Sequence, residues 1–205
     1  MISKIKVANR AETIQRAAEL LKKGGVIVHP TETLYGFATN ALIINAIKRV
    51  DRIKERGLRE SYIILVRDID MARSLQISFD ETAVKLADRH WPGPLTLVLP
   101  VSRESSLLHL AFNGAIGMRV SPDEFVRKLF THIDFPIIST SVNISGKPPM
   151  NDITKIEAQF YNDIDLFCGR GTLPHRPPST IATVVNNTIK ILRKGAVSEE
   201  QVYAV

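Results

Sequence analysis

Two hydrophobic rhythms alternate along this chain, and that alternation limits the folds open to it. Short apolar runs suited to buried strands occur at Val26-Ile27-Val28, Tyr62 to Val66, Leu95 to Leu99, Ala115 to Val120 and Ile137 to Thr140. Between them, apolar residues recur at helical spacing. Ile14, Ala17, Ala18 and Leu21 share one face of a helix that fills most of the first 25 residues, with Asn9 and Glu12 at capping-box spacing and Gly24-Gly25 at its end. A second helix runs from Leu42 to Glu55, capped by Asn40, with Ile43, Ile47, Val50 and Ile53 inward. Helices from Asp80 to His90, after Ser121-Pro122 with Glu124, and around Ile153, Ile156 and Phe160 complete that set. Near the end, Thr180 to Val185 and Ile189 to Leu192 flank Asn186-Asn187-Thr188, a hairpin signature. Strands alternating with helices and closing on a hairpin predict an α/β fold with an open, mixed sheet.

With 205 residues and neither an internal repeat nor a low-complexity linker, the chain reads as a single domain over residues 1–205. The loop-like stretch of any length is Cys168 to Ser179, which contains Gly169, Gly171, Pro174, Pro177 and Pro178 and suits a lid or binding loop. One cysteine excludes a disulfide framework and a multi-thiolate metal site. No apolar run approaches the roughly 18 residues of a membrane span, and the N-terminus lacks the apolar stretch of a secretory signal. These features predict a soluble, cytoplasmic protein. The 27 Lys and Arg outnumber the 21 Asp and Glu by 6, which suits an anionic partner or simply a soluble surface.

Several familiar chemistries are missing. There is no Gly-x-x-x-x-Gly-Lys-Ser/Thr phosphate loop and no dinucleotide-binding Gly-x-Gly-x-x-Gly after a strand. The histidines at 29, 90, 109, 132 and 175 lack zinc-ligand spacing. Ser139-Thr140-Ser141 lacks the glycines of a nucleophile elbow.

Five segments remain as candidates. His29-Pro30-Thr31-Glu32-Thr33-Leu34-Tyr35-Gly36 follows a strand and precedes a helix, a position where α/β sheets bind ligands; alternatively its threonines cap their own turn. Lys54 and Arg56, with Arg59 behind, either grip an anion or complement a helix dipole. Ser139-Thr140-Ser141-Val142-Asn143-Ile144-Ser145-Gly146 places four hydroxyls and one amide within seven residues at a strand end, for a ligand or for a serine-rich turn. Arg119 lies in an otherwise apolar strand, where it needs an ion pair or a ligand. Ser179 and Thr180 enter the hairpin that Arg193 leaves, so antiparallel pairing would bring them together.

Taken in order, these segments resemble the YrdC-like family of threonylcarbamoyl-AMP synthases. The resemblance rests on Pro30-Thr31-Glu32-Thr33-Leu34-Tyr35-Gly36, Lys54-x-Arg56, Trp91-Pro92-Gly93-Pro94-Leu95-Thr96, Arg119, Ser139-Thr140-Ser141-x-Asn143-x-Ser145-Gly146, Ser179-Thr180 and Arg193. It implies an open twisted sheet with a basic concave face. It also implies an enzyme joining L-threonine, bicarbonate and ATP into threonylcarbamoyl-AMP and pyrophosphate, with Mg²⁺ carried by ATP and no protein metal ligand. A partner transferase would then modify tRNA. By the same resemblance, Thr31, Thr33 and Tyr35 hold threonine, and Lys54 and Arg56 are catalytic and handle carboxylate and phosphate. Arg119, Ser139, Ser141, Asn143, Ser179, Thr180 and Arg193, together with Lys54 and Arg56, surround the nucleotide. The chain departs from the family at Glu60, where many members carry lysine. That reversed charge keeps open an alternative, a paralogue that binds tRNA or double-stranded RNA, or associates with the ribosome, with weak or no synthase activity.

Overall fold

The computed structural model describes residues 3–57 and 61–205. The departure at Glu60, and the neighbouring Arg59, lie outside the described residues. In chain order the elements are β1 (Ile5–Val7), α1 (Ala11–Lys22), β2 (Ile27–Pro30), β3 (Tyr35–Asn40), α2 (Ile44–Lys54), β4 (Ile63–Leu65), α3 (Ile69–Ser74), α4 (Glu81–His90), β5 (Leu95–Pro100), β6 (Ala115–Arg119), α5 (Glu124–Leu129), β7 (Ile137–Ser141), α6 (Ile153–Phe160), β8 (Leu166–Gly169), β9 (Thr180–Val185), β10 (Thr188–Arg193) and α7 (Glu199–Tyr203). All ten strands join one mixed sheet in the order β1-β8-β2-β3-β7-β4-β6-β5-β9-β10. The α/β class with a mixed sheet is therefore as the sequence predicts.

The middle of that order explains most of what the sequence conceals. β2 and β3 form an antiparallel hairpin, with His29 opposite Gly36, and β3 then pairs antiparallel with β7. The segment His29 to Gly36 is thus a hairpin, with the ends of β2 and β3 joined by a turn, rather than a strand-to-helix loop. β3 escapes recognition because Gly36, Thr39 and Asn40 interrupt its apolar pattern, yet all six of its residues are buried. Thr39 is satisfied there by donating from Oγ1 to Gly25 O at 2.8 Å. Gly36 is required by close approach: a Cβ at that position would lie 2.9 Å from Ser139 Oγ on β7.

Local chemistry corrects several helix starts. α1 begins after Arg10, which makes no side-chain cap, and the Asn9 amide instead donates to Glu124. α2 begins after Ile43, while Asn40 Oδ1 accepts from Leu42 N. Asp123, rather than Ser121, caps α5 by accepting from Phe125 N. Asp80, read as the first residue of this helix, instead caps α4 by accepting from Ala83 N, and its second oxygen accepts from Asn187 N, tying the helix to the β9–β10 turn. That turn is two residues long, Asn186-Asn187, both at positive φ (52° and 58°), which suits asparagine in a tight hairpin. Cys168 and Gly169 belong to β8, so the connecting loop starts at residue 170.

Helices α1 and α2 both pack on β3, α1 also packs on α5, and α6 covers β1 and β8. Phe37 on β3 meets Phe160 of α6 edge-on with centroids 5.0 Å apart. At the far end of the sheet, the Thr180 hydroxyl donates to Val197 O and accepts from Val197 N, stapling the segment after β10 against β9. Gly195 fits there because it has no side chain: a Cβ would lie 2.3 Å from Pro178 O and 2.6 Å from Thr180 N. We predict that Gly195→Ala costs about 1–3 kcal/mol, the usual penalty for an overpacked site. Chemical denaturation would measure it, and an unchanged unfolding midpoint would contradict this packing.

Candidate functional site

Six separate stretches of chain line a cavity of about 600 Å³. The β2–β3 turn contributes Thr31, Thr33 and Leu34, and the end of α2 contributes Lys54 and Arg56. β6 contributes Arg119, and the end of β7 with its following turn contributes Ser139, Ser141 and Asn143. Loop 170–179 and the final hairpin add Arg176, Ser179 and Arg193. Of the residues singled out in the sequence, Thr180 does not line the cavity, because its hydroxyl is spent on Val197.

The lining is sharply biased in charge. Lys54, Arg56, Arg119, Arg176 and Arg193 face it, and no carboxylate is found among the described lining residues. Lys54 is only 3% exposed. Its ammonium donates to Ser141 O at 2.7 Å, Asn143 O at 3.0 Å and Asn143 Oδ1 at 3.0 Å. Those oxygens take over much of the hydration that a buried cation loses. The helix that delivers Lys54 ends at once, because Glu55 adopts a left-handed conformation with φ 50°. Arg56 then turns back, stacks 3.9 Å above the Tyr62 ring and donates to Ser61 O at 2.6 Å. Arg119 is 5% exposed, lies 3.4 Å from Glu32 and has no hydrogen-bond partner for Nε among the described residues. Arg193 donates to Ser179 O at 2.8 Å. Burial, and then the charge of Arg119, hold the Arg193 guanidinium below its ordinary basicity. Arg119 and Arg193 thus add two guanidiniums to the cavity lining, the first beside Glu32 and the second against Ser179.

The hydroxyls carry a second pattern. Thr31 Oγ1 donates to Leu34 O at 2.7 Å and accepts from Thr33 N and Leu34 N, so the turn reading of this threonine is correct. With that proton committed, the 3.0 Å contact between Thr31 and Thr33 has Thr33 as donor. Ser141 donates to Asn143 Oδ1 at 2.6 Å, and the Asn143 amide donates to Ile144 O and Lys147 O. Asn143 therefore builds the nest in which Lys54 sits. Tyr35 is buried, and its hydroxyl donates to Gly171 O and accepts from Arg170 N, so it anchors the loop.

Sequence reasoning assigned no individual role to three contributors. Arg170 pairs with Asp123 and Arg176 donates to Glu32 O at 3.1 Å, pinning loop 170–179 over the β2–β3 turn. Their signal was two arginines inside a Gly/Pro-rich loop. His29 is fully buried, and its signal was a histidine at the end of an apolar strand.

The Sua5/YciO/YrdC family model, described as telomere recombination, matches residues 19–195. The chain belongs to that family. Among its family relatives, a threonylcarbamoyl-AMP synthase from Pyrococcus abyssi is 32% identical over 203 residues, covering 98% of this chain and 60% of the relative. One from Coxiella burnetii is 28% identical over 178 residues, covering 87% of this chain and 96% of the relative. Of the solved family structures, P. abyssi Sua5 complexed with L-threonine superposes with a TM-score of 0.86 at 31% identity, over 95% of this chain and 58% of that one. Escherichia coli YciO superposes with a TM-score of 0.84 at 26% identity, over 97% and 96%. The chain thus spans about 60% of the Pyrococcus protein's length and nearly all of the Coxiella relative and of YciO.

His29 gives a stability prediction. Burial, with the fields of Arg119 and Arg170, lowers its pKa from 6.5 to about 4 against the opposing hydrogen bond to Pro30. A depressed folded-state pKa means the contribution is intact above the unfolded value of 6.5 and fades as pH falls from there towards 4. Between pH 7 and pH 4 the protein should lose up to about 3 kcal/mol more stability than His29→Phe does. Denaturant titration at both pH values measures this, and parallel losses in the two proteins would contradict it.

Proposed function

We propose that this chain is an L-threonylcarbamoyladenylate synthase, consuming L-threonine, bicarbonate and ATP and releasing pyrophosphate and water. The observation that carries this reading is the cavity itself: cations, of which Lys54 and Arg119 are buried, and hydroxyls from six parts of the chain line one space large enough for a nucleotide and an amino acid. The names of the relatives support it, as does the threonine complex of the superposing Pyrococcus structure.

The reaction needs no protein nucleophile. Threonine's amine combines with bicarbonate to give an N-carboxylate, whose oxygen attacks the α-phosphorus of ATP as pyrophosphate leaves. The difficulty is gathering anions and stabilising charge that grows on the phosphoryl oxygens, which fixed cations do without reorganising. Lys54 would supply fixed positive charge, and Arg56 hydrogen bonds, to the carboxylates and the reacting phosphate, with Ser141 and Asn143 holding Lys54 in position. Arg119, Arg193 and Ser179 would receive the phosphates. Thr33 would take a donor of the amino acid, with Thr31 shaping its turn and Tyr35 fixing the loop above.

Magnesium would arrive as the ATP complex. Among the described residues no three His, Cys, Asp or Glu side chains group to hold a metal ion. The product would pass to a transferase that modifies tRNA, in the cytoplasm where these substrates occur. Among the described residues no helix is long and apolar enough to cross a membrane. An RNA-binding role without catalysis is less well supported, because the curated relatives are named synthases.

Purified protein given ATP, threonine and bicarbonate should form the adenylate and pyrophosphate, and omitting threonine should abolish both. Lys54→Ala and Arg56→Ala should each lower turnover about tenfold or more, the scale for removing one group that stabilises transition-state charge. Threonine-independent pyrophosphate release, or variants as fast as the parent protein, would contradict the assignment.

A further inference from the structure

His29 and Ser139 form a buried pair that the reaction above leaves without a task. His29 is fully buried on β2, its ring stacked at a tilt 6.0 Å from Phe125, and Ser139 is 7% exposed on β7 at the cavity wall. The ring nitrogens make two contacts: Nδ1 to Pro30 O at 3.0 Å and Nε2 to Ser139 Oγ at 3.1 Å. β3 lies between the two strands, and Gly36 leaves the gap through which the contact passes.

The protons can be assigned by chemistry. A carbonyl oxygen only accepts, so the Nδ1 contact requires a proton on Nδ1. Burial and the nearby Arg119 and Arg170 keep the ring neutral at ordinary pH, which leaves Nε2 bare. Ser139 must then donate to Nε2, and its oxygen presents only lone pairs to the cavity. A hydroxyl locked in this sense repels phosphate and carboxylate oxygens and welcomes an N–H or O–H. Thr33, on the turn of the β2–β3 hairpin that also carries His29, has its proton committed in the same inward sense.

We propose that His29 is a positioning residue that fixes Ser139 as a hydrogen-bond acceptor for a donor group of the amino-acid substrate, and so helps the site choose its amino acid. This rests on the synthase reading, and it moves Ser139 from the nucleotide side of the site to the amino-acid side. A site built around a committed acceptor rejects a ligand that lacks the matching donor, because the buried oxygen is then left unsatisfied.

Two measurements test it. In the protein without ligands, ¹⁵N-detected imidazole spectra should show His29 as the neutral Nδ1–H tautomer from pH 5.5 to 8. An Nε2–H tautomer would overturn the proposal. Calorimetry should then show L-threonine binding weakened about tenfold in both Ser139→Ala and His29→Phe, and no further in the double variant, with ATP binding changed less than twofold. Wild-type preference for L-threonine over its 3-hydroxybutyrate or O-methylthreonine analogue should shrink in the same variants. Ser139→Ala keeps the test decisive if His29→Phe folds poorly. Equal losses for ATP and threonine, or threonine binding indifferent to both substitutions, would overturn this proposal alone. Absence of threonine binding by the wild-type protein would overturn the synthase reading along with it.

Discussion

Burial of the Lys54 ammonium is the constraint on which the site depends. A cation at 3% exposure survives only where oxygens replace its lost water, and here they come from the turn after β7. That requirement fixes two otherwise independent segments against each other: the end of α2, forced into a left-handed stop at Glu55, and the Ser141–Asn143 turn. Backbone strain held by surrounding contacts is typical of functional sites. Ser145 N donating to Lys54 O at 2.8 Å closes the same joint from the backbone side. Without the cation the turn would present three oxygens to one another, so site and local fold stabilise together.

The remaining groups follow from the same economy of protons and charges. Cations supply the positive charge that attracts anions to the cavity, while Thr33, Ser139 and Ser141 spend their protons inward and offer lone pairs. Anionic and hydrogen-donating portions of a bound molecule therefore have different places to go. Tyr35, Arg170 and Arg176 hold loop 170–179, part of which lines the cavity, against the β2–β3 hairpin and the start of α5.

Much of this was legible in the sequence, and the exceptions have physical causes. Five apolar runs appear as strands because each is long and unbroken enough to carry a period. β3 was hidden because a buried strand that packs another strand's serine against its backbone needs glycine, and one that hydrogen-bonds a loop needs threonine. β1 and β8 are three and four residues long and are stabilised by pairing with each other, a non-local fact that no local pattern carries. The cap at α5 was misplaced by two residues because Ser121 and Asp123 are both good caps, and Ser121 is drawn away to Glu32. Within the site, the residue types were readable but the direction of each hydroxyl proton was not. Thr180 shows the limit: adjacent to Ser179 in the chain, it points to the opposite face of the strand and belongs to the fold.

The central claim is that these distant segments form one receptor for a nucleotide beside an amino acid. A crystal structure of the protein soaked with L-threonine and a non-hydrolysable ATP analogue tests it most directly. Both ligands should occupy the cavity together, phosphates against Arg119 and Arg193 and the amino acid beside Thr33, with the threonine carboxylate near Lys54 or Arg56. Density for either ligand elsewhere on the surface, with the cavity holding only solvent, would contradict the account.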